Sequence, residues 1–346
     1  MEHKKVLIGL SGGVDSSVAV KLLQEAGMDC TGCNLLLACD TGSEDARLVA
    51  ERFGIGFLVA DQQDRFRKEV QDRFVQVYEA GGTPNPCIQC NRALKFGSML
   101  ELALEQGFDA VATGHYAQIR YDEALGRYLL YKAQDRAKDQ TYFLYSLTQH
   151  QLAHTLFPLG SLTKEQVRTI AQAEGLLNAR KRDSQDICFI PDGDYFAFLE
   201  SYTGRRYPQG DYLDMTGKVV GRHKGAAAYT IGQRKGLGIA LGEPVYVCAK
   251  DMARNTVTVG PNEALFSREL IAGQLNWIPF PALTAPMELT AKIRHSQHEQ
   301  PCTVIPQGDQ VRVVFAQPQR AVTPGQAVVF YQGDLVAGGG TICAAV

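Results

Sequence analysis

Between an apolar run at Lys5 to Leu10 and a helical pattern that starts near Asp15 lies Ser11-Gly12-Gly13-Val14-Asp15-Ser16-Ser17. Adjacent glycines let backbone N–H groups approach an anion closely, three serine hydroxyls can donate, and the helix that follows turns its positive end toward the loop. Such a loop requires a strand behind it and a helix in front, so the chain opens with a β–loop–α unit. The pattern then repeats. Apolar runs at about 30–38, 57–60 and 109–113 alternate with helical stretches, in which Ala19, Leu22, Leu23 and Ala26, then Ala46, Val49, Ala50 and Phe53, recur at helical spacing. Gly27 and Gly54 stand as helix stops. Strands separated by helices predict an α/β fold with a doubly wound parallel sheet, whose ligands sit beyond the carboxyl ends of the strands.

Thr163 and Gln166 form a capping-box pattern for a further helix, and Asp192 is expected to open another before Gly204. From Arg205 onward glycine and proline are frequent and the β-branched runs are short (256–259, 311–315, 327–331), which predicts two small β-rich domains, the last a β-barrel. The expected domains are 1–203, 204–267 and 268–346. A chain of 346 residues fits two or three domains. Its longest apolar runs are far short of the ~20 residues of a membrane helix, and the start reads as a strand, not a secretory signal, so a cytoplasmic protein with no membrane partner is expected. The net charge of −2 excludes a wholesale basic coat but leaves local patches at 180–182, 205–206, 222–224 and 234–235. No Walker A pattern occurs, so γ-phosphate hydrolysis is not the natural reading of the glycine-rich loop.

Nine cysteines, odd in number and scattered, read as cytosolic thiols. Cys87-Ile88-Gln89-Cys90 follows Thr83-Pro84-Asn85-Pro86; the prolines predict a rigid loop from which both thiols project, with a helix starting near Asn91. A thiol at a helix N-terminus ionises more easily, and the thiolate is both nucleophile and metal ligand. Cys188, in a distant segment, must fold back to join them. Cys30 and Cys33 make a second C-x-x-C, but on a strand residues three apart face opposite sides, so a four-cysteine zinc site is rejected. Cys39, Cys248, Cys302 and Cys343 are expected to be buried small hydrophobes, as is Trp277 in a core. For Tyr142, Phe143 and Tyr145 packing is the default.

The loop resembles the pyrophosphate loop (PP-loop) of the adenine-nucleotide α-hydrolase-like superfamily, a Rossmann-like fold whose members cleave ATP to AMP and pyrophosphate. That loop alone also suits an ATP-dependent ligase. With Thr83-Pro84-Asn85-Pro86, Cys90-Asn91, Ala112-Thr113-Gly114-His115-Tyr116, Lys138-Asp139-Gln140-Thr141-Tyr142-Phe143-Leu144, Ile187-Cys188-Phe189-Ile190, Thr230-Ile231-Gly232-Gln233, Lys292-Ile293-Arg294 and Thr323-Pro324-Gly325-Gln326, the chain resembles the tRNA-specific 2-thiouridylase family over nearly its whole length.

The resemblance implies a tRNA-uridine 2-sulfurtransferase. ATP with Mg²⁺ would adenylate the C2 oxygen of the wobble uridine in tRNAs for Lys, Glu and Gln. Cys188 would carry a persulfide from a cysteine desulfurase or relay protein, and Cys90 would complete the transfer and end in a Cys90–Cys188 disulfide. By the same resemblance Gly9, Leu10, Ser11, Gly12, Gly13, Val14, Asp15, Ser16, Leu35 and Gly114 would hold the nucleotide. Asn85, Pro86 and Cys87 would face the target base, and His115, Lys138, Asp139, Gln140, Arg294 and Gln326 would contact tRNA. Many members carry Asp where this chain has Cys87. Cys87, Cys90 and Cys188 are therefore also the alternative ligand set for a [4Fe–4S] cluster with one open iron, as in related tRNA thiolases.

Overall fold

The computed structural model describes residues 4–37, 42–176 and 187–346. Five parallel strands form the first sheet: β1 (Lys5–Gly9), β2 (Asp29–Leu36), β3 (Gly56–Asp61), β4 (Ala110–Ala112) and, completing it, Thr155–Leu156. Their spatial order is β3-β2-β1-β4 followed by Thr155–Leu156. The chain leaves β1 to one side for β2 and β3 and later returns to the other side for β4. The crevice between the carboxyl ends of β1 and β4 is thus the topological switch point, where doubly wound sheets bind ligands. Helices cover both faces. On one lie α1 (Val14–Glu25) and α2 (Ser43–Phe53), packed over Val6, Ile8, Leu10 and Cys30. On the other, Phe96, Met99 and Leu100 pack over Leu7, Cys33 and Val111. Cys30 and Cys33 therefore point into different cores, as the two-residue period of a strand requires.

Two long helices join β3 to β4. The first runs through α3 (Gln63–Phe66), a π segment (Arg67–Gln71) and α4 (Asp72–Glu79). The second runs through α5 (Pro86–Cys90), a π segment (Asn91–Ser98) and α6 (Met99–Glu105). This corrects the expectation of a loop up to Asn91. Pro86 takes the first helical position, where its missing N–H would have no partner anyway and its fixed φ is already helical. Cys87 and Cys90 consequently lie one turn apart on a helix. The Phe66, Phe74 and Phe96 rings are almost fully buried here, each contributing about 1.5–3 kcal/mol relative to exposure.

After β4 comes a hairpin, β5 (Ala117–Asp122) and β6 (Arg127–Lys132), which the sequence reading did not anticipate. It adds to the last domain's sheet through Leu335 and Tyr131. Helices α7 (Gln149–Ala153) and α8 (Lys164–Ala173) each begin with a capping box, the second at Thr163 and Gln166 as expected. Helix α9 (Tyr195–Thr203) is capped by Asp194 instead of Asp192 and closes on Gly204 in the left-handed region.

A four-stranded sheet follows, from Gly210–Leu213, Val219–His223, Tyr246–Asp251 and Thr256–Gly260. The last six strands, between Phe266 and Ala345, are antiparallel, and pairing of the first (Phe266–Trp277) with the last (Leu335–Ala345) closes them into a barrel. Trp277 lies in its core, stacked 5.5 Å from Phe330. Among the remaining cysteines Cys302 is buried and Cys248 half-buried, but Cys343 is exposed near the end of the closing strand, against expectation; Cys39 lies outside the described residues.

Candidate active site

The loop after β1 is a tight turn with Gly12 at φ +68°, where a Cβ would lie 2.4 Å from the Asp45 Cβ. The Ser16 and Ser17 hydroxyls donate to the Gly13 carbonyl at 3.1 and 2.9 Å, which braces the first turn of α1. Across the crevice, the segment after β4 approaches so closely that a Cβ on Gly114 would sit 2.8 Å from backbone atoms of Asp15 and Ser16. Asp15, the acid of the loop, is neutralised. Lys164 Nζ donates to its two oxygens at 2.9 and 2.8 Å, and the Tyr116 hydroxyl donates at 2.9 Å. Lys164 was missed in the sequence, although a signal exists. It is the first residue of α8, where the helix dipole disfavours a cation, and a cation at that position points to a compensating anion such as the Asp15 carboxylate found here.

The thiols lie beside this crevice. Cys90 is buried against Phe66, Val70 and Leu94, with Leu35 from the carboxyl end of β2 and Phe189 packed on the same cluster. Phe189 fixes the neighbouring Cys188 segment: its ring meets Phe66, Phe74 and Phe198 at 5.6, 5.3 and 5.1 Å. Cys87 and Cys188 are exposed. Burial pushes the Cys90 thiol up to about 11; Lys95 opposes that shift, and the negative charges of Cys188 and Cys87 add to it. Crowding around its sulfur raises Cys87 too, again against Lys95.

Lys95 is the second residue missed by sequence reasoning. In an α-helix it would point about 140° away from Cys90, whereas the wider π segment carries a residue five positions on back toward the same face. The helix also reaches the nucleotide crevice: Phe96 packs on His115 at 5.6 Å. His115 Nδ1 lies 2.7 Å from Thr113 Oγ1, and burial, then Lys95, hold its pKa well below the usual 6.5.

A cavity of about 610 Å³ opens where the three parts of the chain meet. Asn85 and Phe143 line it from the first, Thr230 and Gln233 from the second, and Arg294 and His295 from the barrel. Phe143 and His295 rings lie 4.5 Å apart. A second cavity of about 230 Å³, between α4 and the barrel, shares Asn85 with the first.

A family model described as the tRNA methyl transferase HUP domain matches residues 4–192. Others, described as the tRNA methyl transferase PRC-barrel domain and the aminomethyltransferase beta-barrel domain, match 196–261 and 267–342. The tRNA-specific 2-thiouridylase MnmA of Acetivibrio thermocellus is 49% identical over 358 residues, covering 99% of this chain and all of that protein. The same-named proteins of Heliobacterium modesticaldum (49%, 97% of this chain, 92% of the relative) and Treponema denticola (47%, 98% and 97%) are similarly close. The chain belongs to the tRNA-specific 2-thiouridylase family.

Several residues that the family pattern assigns to tRNA use their side chains inside the protein. Asp139 is buried, accepting from Ala133 N at 2.9 Å and Thr141 Oγ1 at 2.6 Å. Gln140 Oε1 accepts from Tyr116 N at 2.9 Å. Gln326 Nε2 donates to the Thr83 and Pro84 carbonyls at 3.0 and 3.2 Å. Arg294 donates to Ala321 O at 2.8 Å from a half-buried site, and burial, then Arg320, lower its pKa. Lys138 is half-buried at the start of that same segment.

Of the basic patches, Arg205, Arg206 and Arg222 are ion-paired with Glu79, Glu200 and Asp211, whereas Arg234 and Lys235 are exposed on a separate loop at 232–238, which forms turns and no strand. Arg180, Lys181 and Arg182 lie outside the described residues, as do Asp183, Ser184 and Gln185.

Proposed function

We propose that the protein is an ATP-dependent tRNA-uridine 2-sulfurtransferase acting at the wobble uridine. The observation that carries this reading is the placement of Cys90 in one cluster with Leu35 at the mouth of the nucleotide crevice, with Cys188 near enough for its charge to raise the Cys90 thiol.

The chemistry requires these parts together. A carbonyl oxygen is a poor leaving group, and its AMP ester is a good one. Backbone N–H groups of the loop from Ser11 to Ser16 and the positive end of α1 suit the triphosphate, and Lys164 keeps Asp15 from repelling it. Mg²⁺ bound to the triphosphate would supply charge neutralisation there, with Asp15 and Asp45 as carboxylates beside the loop among the described residues. A uridine in the junction cavity would meet Asn85 and the first turn of α5. Sulfur arrives as a persulfide on exposed Cys188. Its terminal sulfur attacks C2 of the activated uridine, AMP leaves with the C2 oxygen, and the Cys90 thiolate attacks Cys188 to release the thiocarbonyl, leaving a disulfide that needs an external thiol for reduction. At neutral pH Cys90 is a thiol, so tRNA binding or a base must remove its proton first.

No group of three Cys, His, Asp or Glu side chains converges as a metal site among the described residues, with Cys90 buried and Cys87 exposed. Cys87 and Cys90, one turn apart on α5, and Cys188, whose charge reaches Cys90, would be the ligands of a [4Fe–4S] cluster in the alternative reading, and no step is derived through one. Among the described residues no helix is long and apolar enough to cross a membrane. The tRNAs for Lys, Glu and Gln, a cysteine desulfurase or relay protein as donor, a cytoplasmic setting and the three domains at 1–203, 204–267 and 268–346 complete the proposal.

The test is mass spectrometry of tRNA incubated with enzyme, ATP, Mg²⁺ and a persulfide donor. A gain of sulfur at the wobble uridine with one pyrophosphate per sulfur is expected. Pyrophosphate release that continues without sulfur gain, unchanged when Cys90 and Cys188 are both Ser, would instead favour a ligase.

A further inference from the structure

The turn that delivers Cys87 and Cys90 cannot hold itself. In Thr83-Pro84-Asn85-Pro86 the N–H that would close a β-turn onto the Thr83 carbonyl belongs to residue 86, a proline with none. A carbonyl left without a donor in a half-buried turn is costly, and a donor from elsewhere in the chain holds the turn as water would not. It comes from the barrel. The Gln326 amide nitrogen donates to both Thr83 O and Pro84 O. Pro324 O accepts from Thr83 N at 2.8 Å, and the Thr83 hydroxyl donates to Thr230 Oγ1 at 3.3 Å.

The barrel side of this contact is rigid. Gln326 N donates to Thr323 O at 3.2 Å, and Gln326 O accepts from Ile342 N at 2.8 Å. Gly325, at φ +88°, lies so close to the turn that a Cβ would stand 3.0 Å from Thr83 N and 2.7 Å from Val77 Cγ1. By contrast the turn has space on either side, because Asn85 lines both cavities. A short segment between two voids keeps its place through its hydrogen bonds rather than through packing.

We infer that Gln326 is a positioning residue for sulfur transfer: by donating to Thr83 O in place of the N–H that Pro86 lacks, and to the neighbouring Pro84 O, it sets the height of the α5 N-terminus, and hence of Cys90, against a base in the junction cavity. This rests on the sulfurtransferase reading and departs from the family-derived expectation that Gln326 contacts tRNA. A side chain whose amide nitrogen is engaged by two carbonyls inside the protein adds little to RNA affinity, and its loss misplaces the thiol. Displacement of a reacting group by about 1 Å costs on the order of a hundredfold in rate.

The experiment uses full-length protein with two variants. Gln326→Met keeps the length without donors, and Gln326→Glu keeps the shape but sets an acceptor against two carbonyl oxygens. The dissociation constant for unmodified tRNA and single-turnover thiolation at saturating tRNA and ATP are both measured. The expected result is tRNA affinity within about twofold of wild type and a thiolation rate lowered about tenfold or more, further for Glu than for Met. Weakened tRNA binding with an unchanged saturated rate would overturn the inference and make Gln326 an RNA contact, and unchanged values of both would overturn it too. If either variant is poorly folded, Gly325→Ala, which presses on the turn from the same side, must give the same separation of rate from affinity, or the inference fails. A wild-type enzyme that thiolates no tRNA would instead sink the sulfurtransferase reading itself.

Discussion

Gly114→Ala is predicted to disable ATP use while leaving the fold in place. Gly114 is not in the left-handed region, so alanine meets no backbone strain of its own and the effect is purely steric. Its Cβ would lie 2.8 Å from Asp15 C and Ser16 N and 3.0 Å from Asp15 Cβ. Ordinary carbon contacts are about 3.5–4.0 Å, so the loop after β4 and the first turn of α1 must part by about 0.7 Å or more. Neither side yields easily, since Asp15 is held by Lys164 and Tyr116, and the turn is braced by Ser16 and Ser17. Overpacking of this kind costs about 1–3 kcal/mol. If the cost falls on the nucleotide-bound state, kcat/KM for ATP drops by roughly 5- to 150-fold at about 1.36 kcal/mol per factor of ten. Pyrophosphate release at saturating tRNA, with circular dichroism to verify folding, reads this directly. By comparison a Cβ on Gly9 meets Met99 at an ordinary 3.5 Å, so Gly9→Ala should lose less. An ATP profile for Gly114→Ala within twofold of wild type would refute the steric reasoning.

Lys164→Met leaves Asp15 charged against the triphosphate; KM for ATP should rise about tenfold, and adding Asp15→Asn should recover part of it, as a coupled pair requires. Cys90, raised to about 11, should alkylate slowly at neutral pH and faster as pH climbs toward that value. Lys95→Met removes the opposing cation, so alkylation should slow at every pH below it, and a faster reaction would contradict the electrostatic role. His115 has a lowered pKa in the fold, so its contribution to stability is present above about 6.5 and lost as pH falls below it, by at most about 1.4 kcal/mol per pH unit. Denaturant titrations of wild type and His115→Asn at pH 7 and 5 should show the larger acid loss in wild type.

The parallel sheet, its switch point and the barrel were legible because their signals are local: the strand–loop–helix junction at Ser11, the apolar run that ends at Thr113, and short β-branched runs after Arg205. The thiol helix was misread because proline was treated as a barrier through the whole turn, while Pro86 at the first helical position starts a helix. The β5–β6 hairpin escaped because its partner strand lies some 200 residues away in the sequence. Lys95 faces Cys90 only because the helix widens there, and no periodicity count reveals a π segment. The role inferred for Gln326 was invisible because the N–H that Pro86 lacks and the amide that stands in for it lie about 240 residues apart in the sequence. Motif matching locates such residues, but only their hydrogen bonds say which are turned inward.

The central claim is that sulfur on Cys188 reaches uridine with the help of the thiol at 90. The most direct measurement loads the protein with a labelled persulfide, adds tRNA, ATP and Mg²⁺ for a single turnover, and follows the label on peptide 187–190 and on tRNA by mass spectrometry. In wild type the label should move to the wobble uridine with a disulfide forming between Cys90 and Cys188, whereas in Cys90→Ser it should remain on Cys188 or stay bridged between enzyme and tRNA. Full release of labelled, thiolated tRNA by Cys90→Ser at the wild-type rate would contradict the account.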